Sequence, residues 1–348
     1  MLSMTLATIR AKRIKIKDRF FRSPFLLLIV AVSVCNNMQS GIAQAAKSAV
    51  LKPWKSQPYQ LLKKKKLSKD SFLLRYGLPE GRSMLGVKPD IPTCIKVKYQ
   101  PPAETGHKAL AKSYSPVSHP SQSDYFELVV KSYPYQEGGG VGKYLCDMEI
   151  GSSIEAQLKP ERIMHDSPNV LGRGWKNIGL VAGGTGIAPL LQVARIALES
   201  NGNEENIKVH LLFINHTFED VLGKDEIEAL ARDHPDNFFV TYSFTRETED
   251  ATGGGNDDGA CPILDGTSKA NFTRGKGDAS MAAKALPKPS NSGDTMVLVC
   301  GRDGFVAHWG GPVGRAPTED GSKGPKIQGP LLGVLKDAGF TAEQVFKY

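Results

Sequence analysis

Acidic residues are nearly absent from the first 69 positions of this 348-residue chain, where fifteen lysines and arginines stand against Asp18 alone. The whole carries a formal +8, so residues 70–348 are net −6. A body of that sign offers no general basic surface for a phosphate backbone, which argues against nucleic acid as its partner. Cysteine is scarce as well. The five, at 35, 94, 146, 261 and 300, form no Cys-x-x-Cys pair, and the seven histidines show no metal-ligand spacing. Neither a disulfide scaffold nor a zinc site is indicated. Asp257-Asp258 lacks the following Glu of a calcium loop, so no metal is expected.

What the N-terminus does have is a basic lead followed by one apolar run, "FLLLIVAVSVC" at 25–35. That length suits a targeting h-region and is short for a full membrane span. Residues 1–45 are read as a targeting segment or membrane anchor, and 46–60 as a linker. "AQA" at 43–45 offers a cleavage site, while the nearly acid-free lead suits a mitochondrial presequence. The outer mitochondrial membrane or the intermembrane space is favoured, with the endoplasmic reticulum as the alternative. Lys63 to Lys66 read as a solvated face just ahead of the first strand, with no interleaved aromatics for base stacking.

Between about Phe72 and Lys159 the chain alternates with period two, as in "CIKVKY" (94–99), "YFELVVK" (125–131) and "SIEAQLK" (153–159). An antiparallel barrel or a sandwich would fit. "VGKYLCDM" (141–148) interrupts this as a short helix. After Gly172 the rhythm becomes apolar strand, turn, helix: "NIGLVA" then "APLLQVARIAL"; "VHLLFIN" then "KDEIEALARD"; "FFVTYSF"; "ASMAAKAL" then "MVLVCG"; and "PLLGVLKDAG". Such alternation predicts a doubly wound α/β parallel sheet covered on both faces. Residues 247–270 read as a surface insertion and 313–329 as a second long loop. The sequons at Asn215 and Asn271 are read as accidental.

"GLVAGGTGIAP" (179–189) ends a strand at Ala182, turns through Gly183, Gly184, Thr185 and Gly186, and opens a helix at Pro189's turn. Glycines permit close backbone approach, and free amides at a helix start attract an anion such as pyrophosphate. Together with "LLFINHTFEDVLGKDEIEALARDHPDNFFVTYSFTRE", "MVLVCGRDGF", "KSYSPVS" (112–118) and "GGGVGKYL" (138–145), this stretch resembles the ferredoxin-reductase-like flavoproteins, and most closely the NADH:cytochrome b5 reductase family. The resemblance covers roughly residues 60–348.

It implies a six-stranded antiparallel FAD-binding β-barrel over 61–172 and an NAD(P)H-binding domain over 173–348. Tyr114 would pack beside the flavin and Ser115 would hydrogen-bond near flavin N5, where hydride arrives. Pro116, Val117 and Ser118 would follow the ribityl and phosphate path. Gly139, Gly140, Val141 and Gly142 would bring amides to the FAD pyrophosphate, and Gly183, Gly184, Thr185 and Gly186 would meet the dinucleotide. Cys300 and Gly301 would lie by the nicotinamide, Cys300 as a positioning group without a nucleophile's constellation. Ser115 and Cys300 are thus the expected catalytic pair. Tyr348 is read as a strand-end core aromatic.

Three positions depart from the family pattern. Lys112 replaces an Arg, keeping charge without the bidentate fork; Gly142 replaces a Ser; and "RDGF" follows Cys300-Gly301 where prolines are usual. NADH-preferring relatives place an acid after the third strand, where this chain has Thr245 followed by Arg246. Both NADH and NADPH therefore stand open as reductants. The expected activity is hydride transfer from NAD(P)H to FAD and then single-electron transfer to a haem protein such as cytochrome b5. The alternatives are a quinone or ferredoxin acceptor, or a degenerate nucleotide-binding module.

Overall fold

Each of the two rhythms builds its own six-stranded sheet. The computed structural model describes residues 55–78, 88–102, 109–133, 140–200, 205–246, 270–319 and 324–348. Residues 1–54, with Cys35 and the expected targeting segment, lie outside these residues. So do Gly139, Asp257, Asp258, Cys261 and all of the expected insertion except Ala270.

The first sheet comprises β1 (Gln57–Ser68), β2 (Ser71–Gly77), β3 (Ile95–Tyr99), β4 (Leu110–Tyr114), β5 (Tyr125–Lys131) and β6 (Ser153–Leu158). They pair antiparallel in the order β4-β3-β6-β1-β2-β5. Period-two patterning does what it should in β6, where Ile154 and Ala156 are buried and Glu155 is exposed. The inward side chains meet around Phe126, with Tyr59 edge-on at 5.3 Å and Tyr76 stacked at 5.5 Å. Helix α1 (Val141–Asp147) puts Val141, Leu145 and Cys146 into the same core. The two edge strands meet just beyond β4: the Val117 N–H donates to the Glu127 carbonyl (2.9 Å), and the Glu127 N–H donates to the Ser118 hydroxyl (3.2 Å). This join closes the sheet on itself and leaves no free edge there.

One expectation is corrected here. Lys63 to Lys66 do not precede the first strand but lie within β1, which starts at Gln57, ahead of the expected domain start at 61. Four identical residues show no alternation, so the strand is invisible there. The lysines hold the strand's outer face: Lys65 pairs with Asp225 at 2.5 Å, and Lys64 lies over the Phe72 ring and donates to the Met148 carbonyl.

The second sheet is wholly parallel. It comprises β7 (Asn177–Gly183), β8 (Lys208–Asn215), β9 (Phe238–Phe244), β10 (Asn271–Arg274), β11 (Thr295–Cys300) and β14 (Val345–Lys347), in the order β10-β9-β8-β7-β11-β14. The strands β12 (Gly314–Arg315) and β13 (Lys326–Ile327) form a small hairpin inside the expected 313–329 loop. Helices α2 (Ile187–Glu199) and α3 (Lys224–Asp233) cover one face. The opposite face packs against α4 (Ala279–Ala285), α5 (Asp303–Gly310) and α6 (Val334–Asp337). The expected C-terminal helix is shorter than "PLLGVLKDAG", because Gly333 at φ +71° passes so close to α5 that a Cβ would stand 2.2 Å from the His308 carbonyl oxygen. Strand β10 was not foreseen: "NFTR" has no apolar run. The chain winds outward from β7 to β10, then returns to β11 on the other side of β7. The strand order therefore reverses between β7 and β11, and ligands of such sheets bind at the carboxyl ends of the strands at that point.

Candidate active site

The glycine turn sits at this reversal. Residues 184–186 make a single tight turn between β7 and α2. A Cβ on Gly186 would stand 2.1 Å from the Cys300 carbonyl oxygen, and one on Gly183 would stand 2.8 Å from the Phe305 ring. Side chains are absent because the ends of β7 and β11 must touch. Phe305 also lies 2.6 Å from a Cβ position on Gly301, so its ring is held flat between two glycines. "RDGF" thus makes the floor of the site, and α5 starts at once at Asp303 without prolines.

Above this floor opens a cavity of about 410 Å³, lined from both halves of the protein. The barrel contributes Lys131 and Tyr133; the parallel layer contributes the Gly183–Thr185 turn, Asn215, His216, Thr245, Lys276, Arg302 and Phe305. Arg302 lies over the Tyr133 ring at 5.3 Å, and Lys131 pairs with Asp70 at 3.2 Å. Asn215 is only 5% exposed, and its Nδ2 has no hydrogen-bond partner. A buried donor left unmatched at a cavity wall calls for an acceptor from a ligand. A second cavity, of about 510 Å³, runs past Gly140, Lys143 and the stacked pair Tyr99 and Tyr144.

The two halves also meet around Arg162. Its guanidinium donates to the Lys347 carbonyl (3.0 Å) and lies over the rings of Phe346 and Tyr348 at 5.3 and 4.6 Å. The Tyr348 N–H donates to the Val299 carbonyl (2.8 Å), which fixes the terminal ring beside the end of β11. The Cys94 thiol donates to the Ile95 carbonyl (3.9 Å); burial raises its pKa while Arg162, Ser115 and Ser113 oppose, and both Cys94 and Cys300 lie within the electrostatic reach of Arg162. Burial pushes the Cys300 thiol up to about 11, against the opposing pull of Arg162 and Lys326. It is therefore a thiol at neutral pH, suited to packing and positioning rather than attack.

The remaining expected residues fall as follows. Lys112 is exposed on β4, with its ammonium 5.9 Å from the centre of the Tyr133 ring. Tyr114 packs against the barrel core, its buried hydroxyl without a partner. Pro116, Val117 and Ser118 are buried in the barrel closure, so they offer backbone rather than open side-chain surface. Gly140 caps α1 at φ +110° and lines the second cavity; Val141 and Gly142 are buried behind it. Arg246 is exposed and does not line the main cavity. Sequence reasoning missed Lys131, Tyr133, Asn215, His216, Lys276 and Phe305 as candidates. Asn215 had a signal, being a polar residue ending an apolar strand at the ligand-binding edge; Lys276 had none. Among the described residues there is no cluster of three potential metal ligands, and no helix is long and apolar enough to cross a membrane.

A cationic, aromatic-walled cleft with glycine approaches and an unmatched polar group at Asn215 fits nucleotide ligands. Comparison with known proteins agrees. Residues 58–158 match the oxidoreductase FAD-binding domain, and residues 180–256 match the oxidoreductase NAD-binding domain. The protein is an oxidoreductase with an FAD-binding barrel and an NAD-binding parallel layer. It is 31% identical over 299 residues to the NADH-cytochrome b5 reductase-like protein of Arabidopsis thaliana, covering 86% of this chain and 78% of that one. To NADH-cytochrome b5 reductase 1 of Mycosarcoma maydis it is 34% identical over 252 residues, covering 72% and 66%. The cytochrome b5 reductase domain of Ulva prolifera nitrate reductase shares the fold, with a TM-score of 0.62 at 23% identity over 86% of this chain and 99% of that one. The chain belongs to the NADH-cytochrome b5 reductase family.

Proposed function

We propose that the protein oxidises a reduced nicotinamide dinucleotide at the cleft and delivers the electrons singly to a haem protein of the cytochrome b5 type. FAD, when bound, supplies the conversion between a two-electron donor and a one-electron acceptor. The chain's own residues bind, align and exclude water. Lys112, Tyr114, Ser115 and the backbone of 116–118 would hold the flavin, with the amides of 140–142 at its pyrophosphate. Thr185, Gly186 and Asn215 would hold the nicotinamide dinucleotide, and Cys300 with Gly301 would set the approach of its ring. No general acid or base is needed for hydride transfer, which agrees with a Cys300 that stays protonated.

The observation that carries this reading is the cavity itself, walled by Lys131 and Tyr133 from one half and by the glycine turn and Phe305 from the other. The full chain is expected to be yellow, to bleach anaerobically with NADH or NADPH, and to regain colour on adding ferric cytochrome b5. A colourless protein that takes up no FAD would leave only a degenerate binding module. Recolouring by a quinone or ferredoxin but not by cytochrome b5 would reassign the acceptor.

For location, the support is the basic lead and the apolar run at 25–35. We read them as attaching the enzyme to a mitochondrial membrane. Cell fractionation that recovers the full chain only in soluble fractions would overturn this.

A further inference from the structure

The cleft holds more positive charge than a pyrophosphate uses, and its surplus is in one corner. Lys131 is paired with Asp70, and Arg302, though it comes from the parallel layer, lies over the barrel's Tyr133, so both are engaged on the barrel side. Lys276 is different. It is exposed, lines the cavity and has no ion-pair partner among the described residues. Two hydrogen bonds pin its turn beside the end of β9: the Gly275 N–H donates to the Phe244 carbonyl (3.0 Å), and the Ser243 hydroxyl donates to the Gly275 carbonyl (2.8 Å). Thr245 is the next residue after Phe244, and its hydroxyl shares a 2.9 Å hydrogen bond with Nδ1 of His216. Lys276, Thr245 and His216 all line this cavity.

Among the described residues that line this corner, Thr245 stands where an acid would hold a plain ribose. Asp220 is the one acid among the described lining residues, and its carboxylate accepts from the Thr217 hydroxyl (3.1 Å). Sheets of this kind separate the two dinucleotides by a simple rule: a carboxylate takes the ribose hydroxyls, whereas a cation without one takes a ribose phosphate. Arg246, which the sequence alone offered for that role, does not line the cavity; Lys276 does.

We propose that the preferred reductant carries a phosphate on its adenosine ribose, and that Lys276, with Thr245 and His216, receives that phosphate. This deepens the function proposed above and rests on it. The reductant is then NADPH rather than NADH.

The test is calorimetric titration of the full chain with adenosine 2′,5′-bisphosphate and with 5′-AMP, beside anaerobic flavin reduction by both dinucleotides. A charge-assisted contact predicts that the bisphosphate binds about tenfold or more tightly than 5′-AMP, by a margin that narrows with salt. Lys276→Gln should remove most of that margin without changing 5′-AMP binding, and Lys276→Arg should keep it. The side chain is exposed, so the fold is not at stake. Equal binding of the two adenosine ligands, with NADH bleaching the flavin at least as fast as NADPH, would overturn the inference and leave the reductase reading intact. An unchanged Lys276→Gln margin would also overturn it. Failure of both dinucleotides to bleach bound flavin would sink the reductase reading, and this inference with it.

Discussion

Position 142 shows a missing side chain that packing requires. The family pattern has a Ser there, and the loss of its hydroxyl looks from the sequence like a weakened flavin contact. In the fold, a Cβ on Gly142 would stand 2.6 Å from the Lys131 carbonyl oxygen, because α1 lies directly against β5. Gly142→Ser is therefore expected to destabilise the protein by about 1–3 kcal/mol, read as a lower urea midpoint, and to loosen rather than tighten FAD. A serine variant that is as stable and holds flavin longer would show the hydroxyl outweighing the crowding. Lys112 is the opposite case, since it is exposed and free to change. Lys112→Arg should slow flavin loss without moving the urea midpoint, because a planar guanidinium can both stack on Tyr133 and grip phosphate in two places. The turn at 183–186 was legible because glycine spacing after an apolar strand has few other uses. What it makes room for, the Cys300 carbonyl and the Phe305 ring, was not, since close contacts between segments distant in the chain leave no local pattern.

Among the elements, α2 does more than cover the sheet. Its amphipathic pattern was readable, but Gln192 is a polar residue with no exposure at all. The Thr93 N–H donates to Gln192 Oε1 (2.5 Å), and Gln192 Nε2 donates to the Thr93 hydroxyl (3.0 Å) and the Ser118 carbonyl (3.5 Å). A helix that opens at the glycine turn is thereby tied to the segment that closes the barrel, and Val117 joins the apolar cluster around it. Gln192→Leu keeps the bulk but strands a buried N–H, and is expected to cost about 1–3 kcal/mol. Because the tie lies between the two halves, it should also slow flavin reduction by the dinucleotide more than it weakens binding of either ligand. Equal losses in rate and affinity would instead mark Gln192 as a merely structural residue. The sequence could show the strand and helix faces, but not this tie. Nor could it show β10, whose four residues bring Lys276 to the cleft and carry no apolar run of their own.

For the molecule as a whole, acid sensitivity falls to histidines spread over both sheets. His210 on β8 stacks on Phe239 at 4.8 Å; burial first, and Lys208 second, pull its pKa down to about 4. Burial also lowers His119, which joins Ser121 on the barrel side to Ser200 at the end of α2, and His165, which packs against Phe346. In each case the folded chain disfavours the proton that the unfolded chain accepts near pH 6.5. Above that pH both states are neutral and nothing is lost. As the pH falls from 6.5 towards 4, the unfolded state binds more protons and stability declines. For His210 the loss is about 2 kcal/mol once its partial exposure is discounted. Asp70 acts in a lower window: although burial opposes it, the Lys131 contact and the Ser71 and Ser68 hydroxyls hold its carboxyl below the usual range, so its contribution fades only in stronger acid. Urea midpoints should therefore be level from pH 8 to 7 and fall steadily between 6.5 and 4.5, with a shallower fall in His210→Gln. A profile that stays flat to pH 4.5, or a variant whose slope matches the parent, would move the acid sensitivity away from these imidazoles and onto the carboxylates.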